Sequence, residues 1–305
     1  MTARKRFTSA LAAGALALAL AGCGDDDPSP VADDTGKDEP KASQTPSGDA
    51  SEPTEPVESS GPPADTTTVP VYFVGDTPQG PRLFREFRRV EVDNPLDEAA
   101  ALLAAGDTAD PDYRTLFPGG QLKSVSYVEN AGVFVVELVD GEWEKRGQGM
   151  SAAAARLAVQ QLVYTVQGVQ QKRAPVVVRL DGSPTTLFGI DTSDGVSAAP
   201  QLDVLGLVNI STPEQAQEVS GTFVADGVAS SFEATVPWQI RQGDQVVKEG
   251  FATANGWVDK LYPWKTEVDV SDLEPGEYTF VAMTDDPSGG EGGGPTEDTK
   301  TIIVR

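Results

Sequence analysis

The chain has 305 residues, a net charge of −24, no histidine and a single cysteine, Cys23. This acidity argues against a nucleic-acid partner, because a phosphate backbone is bound by clustered Lys and Arg. Without histidine, Ser-His-Asp triads, Cys-His pairs and His-containing zinc sites are excluded, and one thiol cannot close a disulfide within the chain.

Residues 1–22 read as a lipoprotein signal peptide. Arg4, Lys5 and Arg6 form a basic start, and Phe7 to Ala21 is an Ala/Leu/Gly run too short for a permanent bilayer span. Small residues precede Cys23 in Leu20-Ala21-Gly22-Cys23, the pattern of a lipobox. A plain secretory leader or a short membrane anchor fits that ending less well. The expectation is that Cys23 carries a lipid. Two or three acyl chains, at about 0.8 kcal/mol per buried methylene, anchor a protein stably on the extracytoplasmic face of the cell membrane. Loss of the leader takes three positive charges with it and leaves the mature chain at −27.

Residues 23–68 read as an acidic, disordered linker. Twelve acids stand against Lys37 and Lys41, among eight prolines and many Ser and Thr. Hardly any large apolar side chain is available to offset the entropy of ordering. As a flexible coil, Gly24 to Thr68 spans roughly 40 Å, and self-repulsion and proline lengthen it.

Order is expected from Val69. Val69 to Val74 and Arg82 to Val92 read as strands. Asn94-Pro95-Leu96-Asp97-Glu98 opens a helix with an N-cap candidate, proline at its first position and acids in its first turn, and Gly106 stops it. Leu122 to Val128 and Val133 to Val139 read as a strand pair, Ser151 to about Gln167 as a longer helix, and Pro175 to Leu180 as a strand ending at Asp181-Gly182. The order β-β-α-β-β-α-β predicts an α+β domain over 69–195, with two helices covering one face of a sheet.

The texture then changes to short alternating strands over 205–305. Phe232, Ala234, Val236, Trp238 and Ile240 alternate with polar residues and Pro237, and Gly243-Asp244 turns that strand into Gln245 to Phe251. Trp264 to Val270, Tyr278 to Ala282 and Thr299 to Val304 follow. Leu273 to Tyr278 has the form of a tyrosine corner, and about seven strands fit an immunoglobulin-like β-sandwich.

Two stretches resemble known families. VPVYFV at Val69, the helix at Pro95, KSVSYVENAGVFVVEL at Lys123 and ARLAVQQLVYTV at Ala155 resemble the GerMN domain of spore germination and sporulation proteins. VSGTFVADGVASSFEATVPWQI at Val219 resembles the immunoglobulin-like domain that often follows GerMN, with Gly243-Asp244 departing from its usual acidic-glycine turn. The resemblance implies a non-enzymatic, envelope-associated protein that uses no cofactor, and it carries no catalytic residues onto this chain. Its partners would be an envelope protein or a wall polymer, with the membrane reached through the lipid.

Candidate sites are few. Arg82, Arg85, Arg88 and Arg89 form the one dense basic cluster, either a docking patch for an anionic polymer or acidic protein, or a solvated face paired with Glu86, Glu91 and nearby acids. Trp238 and Trp264 share the apolar faces of their strands and read as core. Trp257, with Tyr262 nearby, sits in a loop and is the candidate for carbohydrate contact. Asp107, Asp110 and Asp112 lack EF-hand spacing and read as a polar loop after a helix, so no metal is expected. Gly289 to Gly294, flanked by acids, reads as a hairpin loop and not a phosphate cradle. No pair of carboxylates is marked out for glycoside hydrolysis.

Overall fold

A computed structural model describes residues 65–286, 289 and 293–305, all within one compact unit. The leader, Cys23, nearly all of the acidic linker and half of the Gly289–Gly294 loop lie outside the described residues.

The first module opens with a long hairpin, β1 (Thr66–Thr77) and β2 (Gly80–Glu91). β1 starts three residues before the expected Val69, because Thr66, Thr67 and Thr68 pair with Glu91, Val90 and Arg89. α1 (Pro95–Ala105) has the expected limits. Asn94 makes no side-chain cap, so the start rests on Pro95 and the acids of the first turn, while Gly106 ends the helix in the left-handed conformation at φ 73°. β3 (Leu122–Val128) and β4 (Val133–Leu138) form a hairpin. α2 (Ala152–Gln170) begins at Ser151, whose Oγ accepts from the Ala154 amide at 3.0 Å, and runs three residues beyond Gln167. It crosses over to β5 (Val176–Leu180), which lies parallel to β4. Three two-residue strands follow: β6 (Ser183–Pro184) beside β5, and β7 (Thr186–Leu187) paired with β8 (Ile190–Asp191).

The strands do not form the one sheet expected. β3-β4-β5-β6 is a four-stranded sheet, and β1-β2 is a separate ribbon. Both feed one core with the inner faces of α1 and α2, in which Phe73, Leu103, Phe134 and Leu162 are buried.

A one-turn helix, α3 (Gln201–Val204), leads into a β-sandwich. One sheet has the order β14 (Tyr262–Asp269), β11 (Thr222–Ala229), β9 (Val208–Thr212). The other runs β10 (Gln217–Val219), β16 (Glu297–Val304), β15 (Gly276–Met283), β12 (Thr235–Gln242), β13 (Gln245–Thr253). Eight strands replace the expected seven. Trp238 and Trp264 lie in the core between the sheets, and the Tyr278 hydroxyl donates to the Glu274 carbonyl at 2.9 Å, so the tyrosine corner is present.

One strand differs from its alternation. Phe232 does not join β12: Glu233 and Ala234 take positive φ (51° and 61°), the chain makes a tight turn, and Phe232 faces solvent. Periodicity cannot register such a backbone reversal, since Phe232 keeps the apolar parity while its side chain leaves the face.

Gly227 shows how closely the second module is packed. A Cβ there would lie 2.9 Å from the Trp264 ring and nearer still to the Asn209 carbonyl. Gly227→Ala is expected to destabilise by about 1–3 kcal/mol, read as a lower urea midpoint with an unchanged m-value.

Candidate functional site

The two modules meet along a buried polar seam. Lys300 on β16 is 4% exposed, and its Nζ lies 2.5 Å from Asp110 Oδ2, itself 1% exposed, and 3.5 Å from Asp298 Oδ1. Tyr113 donates its hydroxyl to Asp298 Oδ1 at 2.6 Å and accepts from Lys300 at 2.9 Å. Asp298 Oδ2 accepts from the Ile210 amide (2.6 Å) and from Asn209 Nδ2 (3.1 Å). On the other side, Glu86 accepts from the amides of Ala109 and Asp110 and from Arg88.

This geometry assigns the three acids that follow α1. Asp110 pairs with Lys300, Asp112 accepts from Thr299 Oγ1 at 2.5 Å, and Asp107 meets Arg88. Asp110 and Asp112 join the modules, Asp107 pairs within the first, and among the described residues no cluster of acids is arranged to hold a metal ion. Burial alone would lower the Lys300 pKa, but the charges of Asp298 and Asp110 outweigh it and hold the pKa above the ordinary lysine value. Burial pushes the Tyr113 phenol up, and Asp298 and Asp110 push it further, keeping the hydroxyl a donor.

The basic cluster is divided. The Arg82 guanidinium donates to the Asp203 carbonyl, and Arg88 is taken by Glu86 and Asp107. Arg85 donates to Ser211 Oγ at 2.7 Å and lies 4.6 Å from the Phe87 ring centroid, while its Nε is buried without a partner. Arg89 is exposed and makes no ion pair among the described residues. The paired-face reading therefore holds for Arg88. Arg85, Arg88 and Arg89 still line one cleft of about 260 Å³ between the modules, together with Ser211, Gln215 and Lys300.

Trp257 and Tyr262 do not form a joint platform. Trp257 is 41% exposed and packs edge-to-face with Phe232 at 5.2 Å. Tyr262 lies over Gly256 and donates to Asp259 at 2.7 Å. Beside Trp257, Val258 is 63% exposed at φ 91°, a conformation strained for a β-branched residue. A larger, mainly apolar groove of about 590 Å³ is lined by Ala154 and Leu157 of α2 and by Val196, and shares no lining residue with the cleft.

Sequence reasoning missed Tyr113, Asn209, Asp298 and Lys300. The available signal was parity: Asp298 and Lys300 occupy the same inward positions of β16 as Ile302 and Val304. A strand that turns two charges toward its buried face requires partners for them.

Residues 70–186 match the family model described as sporulation and spore germination, and residues 207–291 match that of the immunoglobulin-like domain of bacterial spore germination. The chain thus carries one stretch similar to each of these two germination families, in that order. Among solved structures, the tandem GerMN domains of the sporulation protein GerM from Bacillus subtilis are similar at 14% identity and TM-score 0.36, over 68% of this chain and 63% of that one. A lytic polysaccharide monooxygenase from Jonesia denitrificans (14%, TM-score 0.20) is covered for 60% of its length by 30% of this chain. An endo-β-1,4-mannanase from Thermotoga petrophila (14%, TM-score 0.25) is covered for 37% by 51% of this chain. These partial likenesses carry no argument about activity, and no curated protein matches the chain. No helix among the described residues is long and apolar enough to cross a membrane. The seam joins the GerMN module, through β2 and the 107–113 loop, to β9 and β16 of the immunoglobulin-like module.

Removing one partner of this buried set strands the others. Lys300→Ala is expected to destabilise by about 3–5 kcal/mol, and Lys300→Met by less, because the apolar stem is kept. The sign with pH follows from the raised lysine. Its contribution is complete below the reference value of 10.5 and is lost as pH rises through the higher folded value. The raised Tyr113 phenol acts in the same direction. Melting temperature measured between about pH 8 and about pH 11.5 should fall more steeply for the parent chain than for Lys300→Met.

Proposed function

We propose that this protein is a non-catalytic cell-envelope lipoprotein, anchored through Cys23, that presents its GerMN and immunoglobulin-like modules as one binding head to a protein partner at the membrane or wall. The observation that carries the proposal is the seam. Glu86, Asp110 and Asp298 are the most buried carboxylates, and each is committed to backbone amides, Lys300 or Arg88. Asp110 and Asp298 join the modules, Glu86 braces the loop that carries Asp110, and carboxylates occupied in this way are not poised for proton transfer. The relation to spore-germination families supports an envelope setting, and the acidic linker would hold the head away from the bilayer.

A wall-glycan reading has one specific observation in its favour, the exposed Trp257–Phe232 pair on strained backbone. The two readings give different results. Photo-crosslinkers at Trp257 and at Arg89 in cells should capture one membrane or envelope protein in the first case. In the second, purified wall polymer should retain the mature chain, and Trp257→Ala should abolish retention. The anchor is tested separately: Cys23→Ser is expected to move the protein from the detergent phase to the aqueous phase and to remove palmitate labelling.

A further inference from the structure

The outer edge of β2 is where an additional site lies. In an antiparallel ladder, alternate residues turn their amide and carbonyl away from the partner strand. On β2 these are the odd-numbered residues; Pro81 has no amide to offer, and three of the others have an identified partner. The Leu83 carbonyl accepts from the Gly206 amide at 2.9 Å. The Arg85 amide donates to Asn209 Oδ1 and its carbonyl accepts from Asn209 Nδ2, both at 3.3 Å. The Glu91 amide donates to Glu98 Oε2 at 2.8 Å. Phe87 and Arg89 complete the series, and by this alternation their amides open on the cleft that both residues line.

Two guanidiniums line the same place, and that of Arg89 has its donors spare. Arg89 has no partner among the described residues, and Arg85 has a buried Nε without one while Ser211 and Phe87 fix its plane. Unmatched donors in a formed cleft between modules are the pattern of a ligand site. Two acids also line the cleft, Glu86, which is taken by Arg88 and the amides of Ala109 and Asp110, and Glu214 at its exposed rim; they disfavour highly charged polyanions and fit a single anionic group.

We propose that the cleft at the β2 edge binds an oxyanion, the carboxylate or phosphate group of a ligand, through the amides of Phe87 and Arg89 and the guanidiniums of Arg85 and Arg89. Arginine supplies the planar double donor that either group accepts. This site is independent of the lipid anchor and of the Trp257 surface.

The test follows the Phe87 and Arg89 amide resonances of the isotope-labelled mature chain during titration with inorganic phosphate or with acetate, against sodium chloride at matched ionic strength. Saturable shifts at those amides with either probe are expected, and the effective probe identifies the group as phosphate or carboxylate. Arg89→Ala should weaken binding about tenfold or more. Because the exposed Arg89 side chain makes no hydrogen bond or ion pair among the described residues, the variant should keep the parent melting temperature. Glu214→Gln should tighten binding, since it removes the neighbouring negative charge. Shifts no larger than those with chloride, or equal affinity in Arg89→Ala, would overturn the proposal.

Discussion

Lys300 is the charge on which the arrangement of the two modules depends. A lysine in an apolar interior is neutralised or expelled unless opposite charge is held against it. Here the opposing groups come from different parts of the chain: Asp110 from the loop after α1, and Asp298 from the same strand of the sandwich. Tyr113 and Asn209 then satisfy the remaining lone pairs of Asp298. Such a set adds little net stability over a well-packed apolar contact, but it tolerates few geometries. The seam thereby sets which face of the GerMN module meets which strands of the sandwich. An apolar cluster of Val74, Leu83, Tyr164 and Leu205, with Leu261 of the second module against it, adds area beside the polar part.

The same junction handles the exposed edge of a two-stranded ribbon. A free strand edge invites pairing with another chain unless it is covered. β2 is covered piecewise, by the Gly206 amide, by the side chain of Asn209 and by Glu98. Asn209 substitutes for a strand rung, and its second contact, to Asp298, ties that cover to the Lys300 set. The covering stops at Phe87 and Arg89, where the cleft lies.

Away from the seam, the immunoglobulin-like module keeps apolar side chains outside at an evident local cost. Positive φ at Glu233, Ala234 and Val258 turns Phe232 and Val258 toward solvent and sets Trp257 against Phe232. Ala234 stays in the core of the sandwich through this turn, while Phe232 leaves it. The positive-φ conformations lie in connections, where strained backbone is usually retained for contact with a ligand or partner.

Much of the fold was legible in the sequence, because it is written in local periodicity and capping. The limits of α1 follow from Pro95 and Gly106, the start of α2 from Ser151, and the tyrosine corner from the spacing of Leu273 to Tyr278. Trp238 and Trp264 were assigned to the core by strand parity alone. What failed depended on contacts distant along the chain. The separation of β1-β2 from the four-stranded sheet is a matter of which edges pair, and alternation reports only which face is apolar. Phe232 left its strand through two backbone reversals that leave no trace in hydrophobic pattern. The arginine cluster was dense in sequence, yet its members were assigned to Asp203, Ser211, Glu86 and solvent by residues up to 126 positions away. Residue type and spacing determined the modules and their order. Only the tertiary structure decided how they join, because a buried charge such as Lys300 is defined by partners that come from both modules.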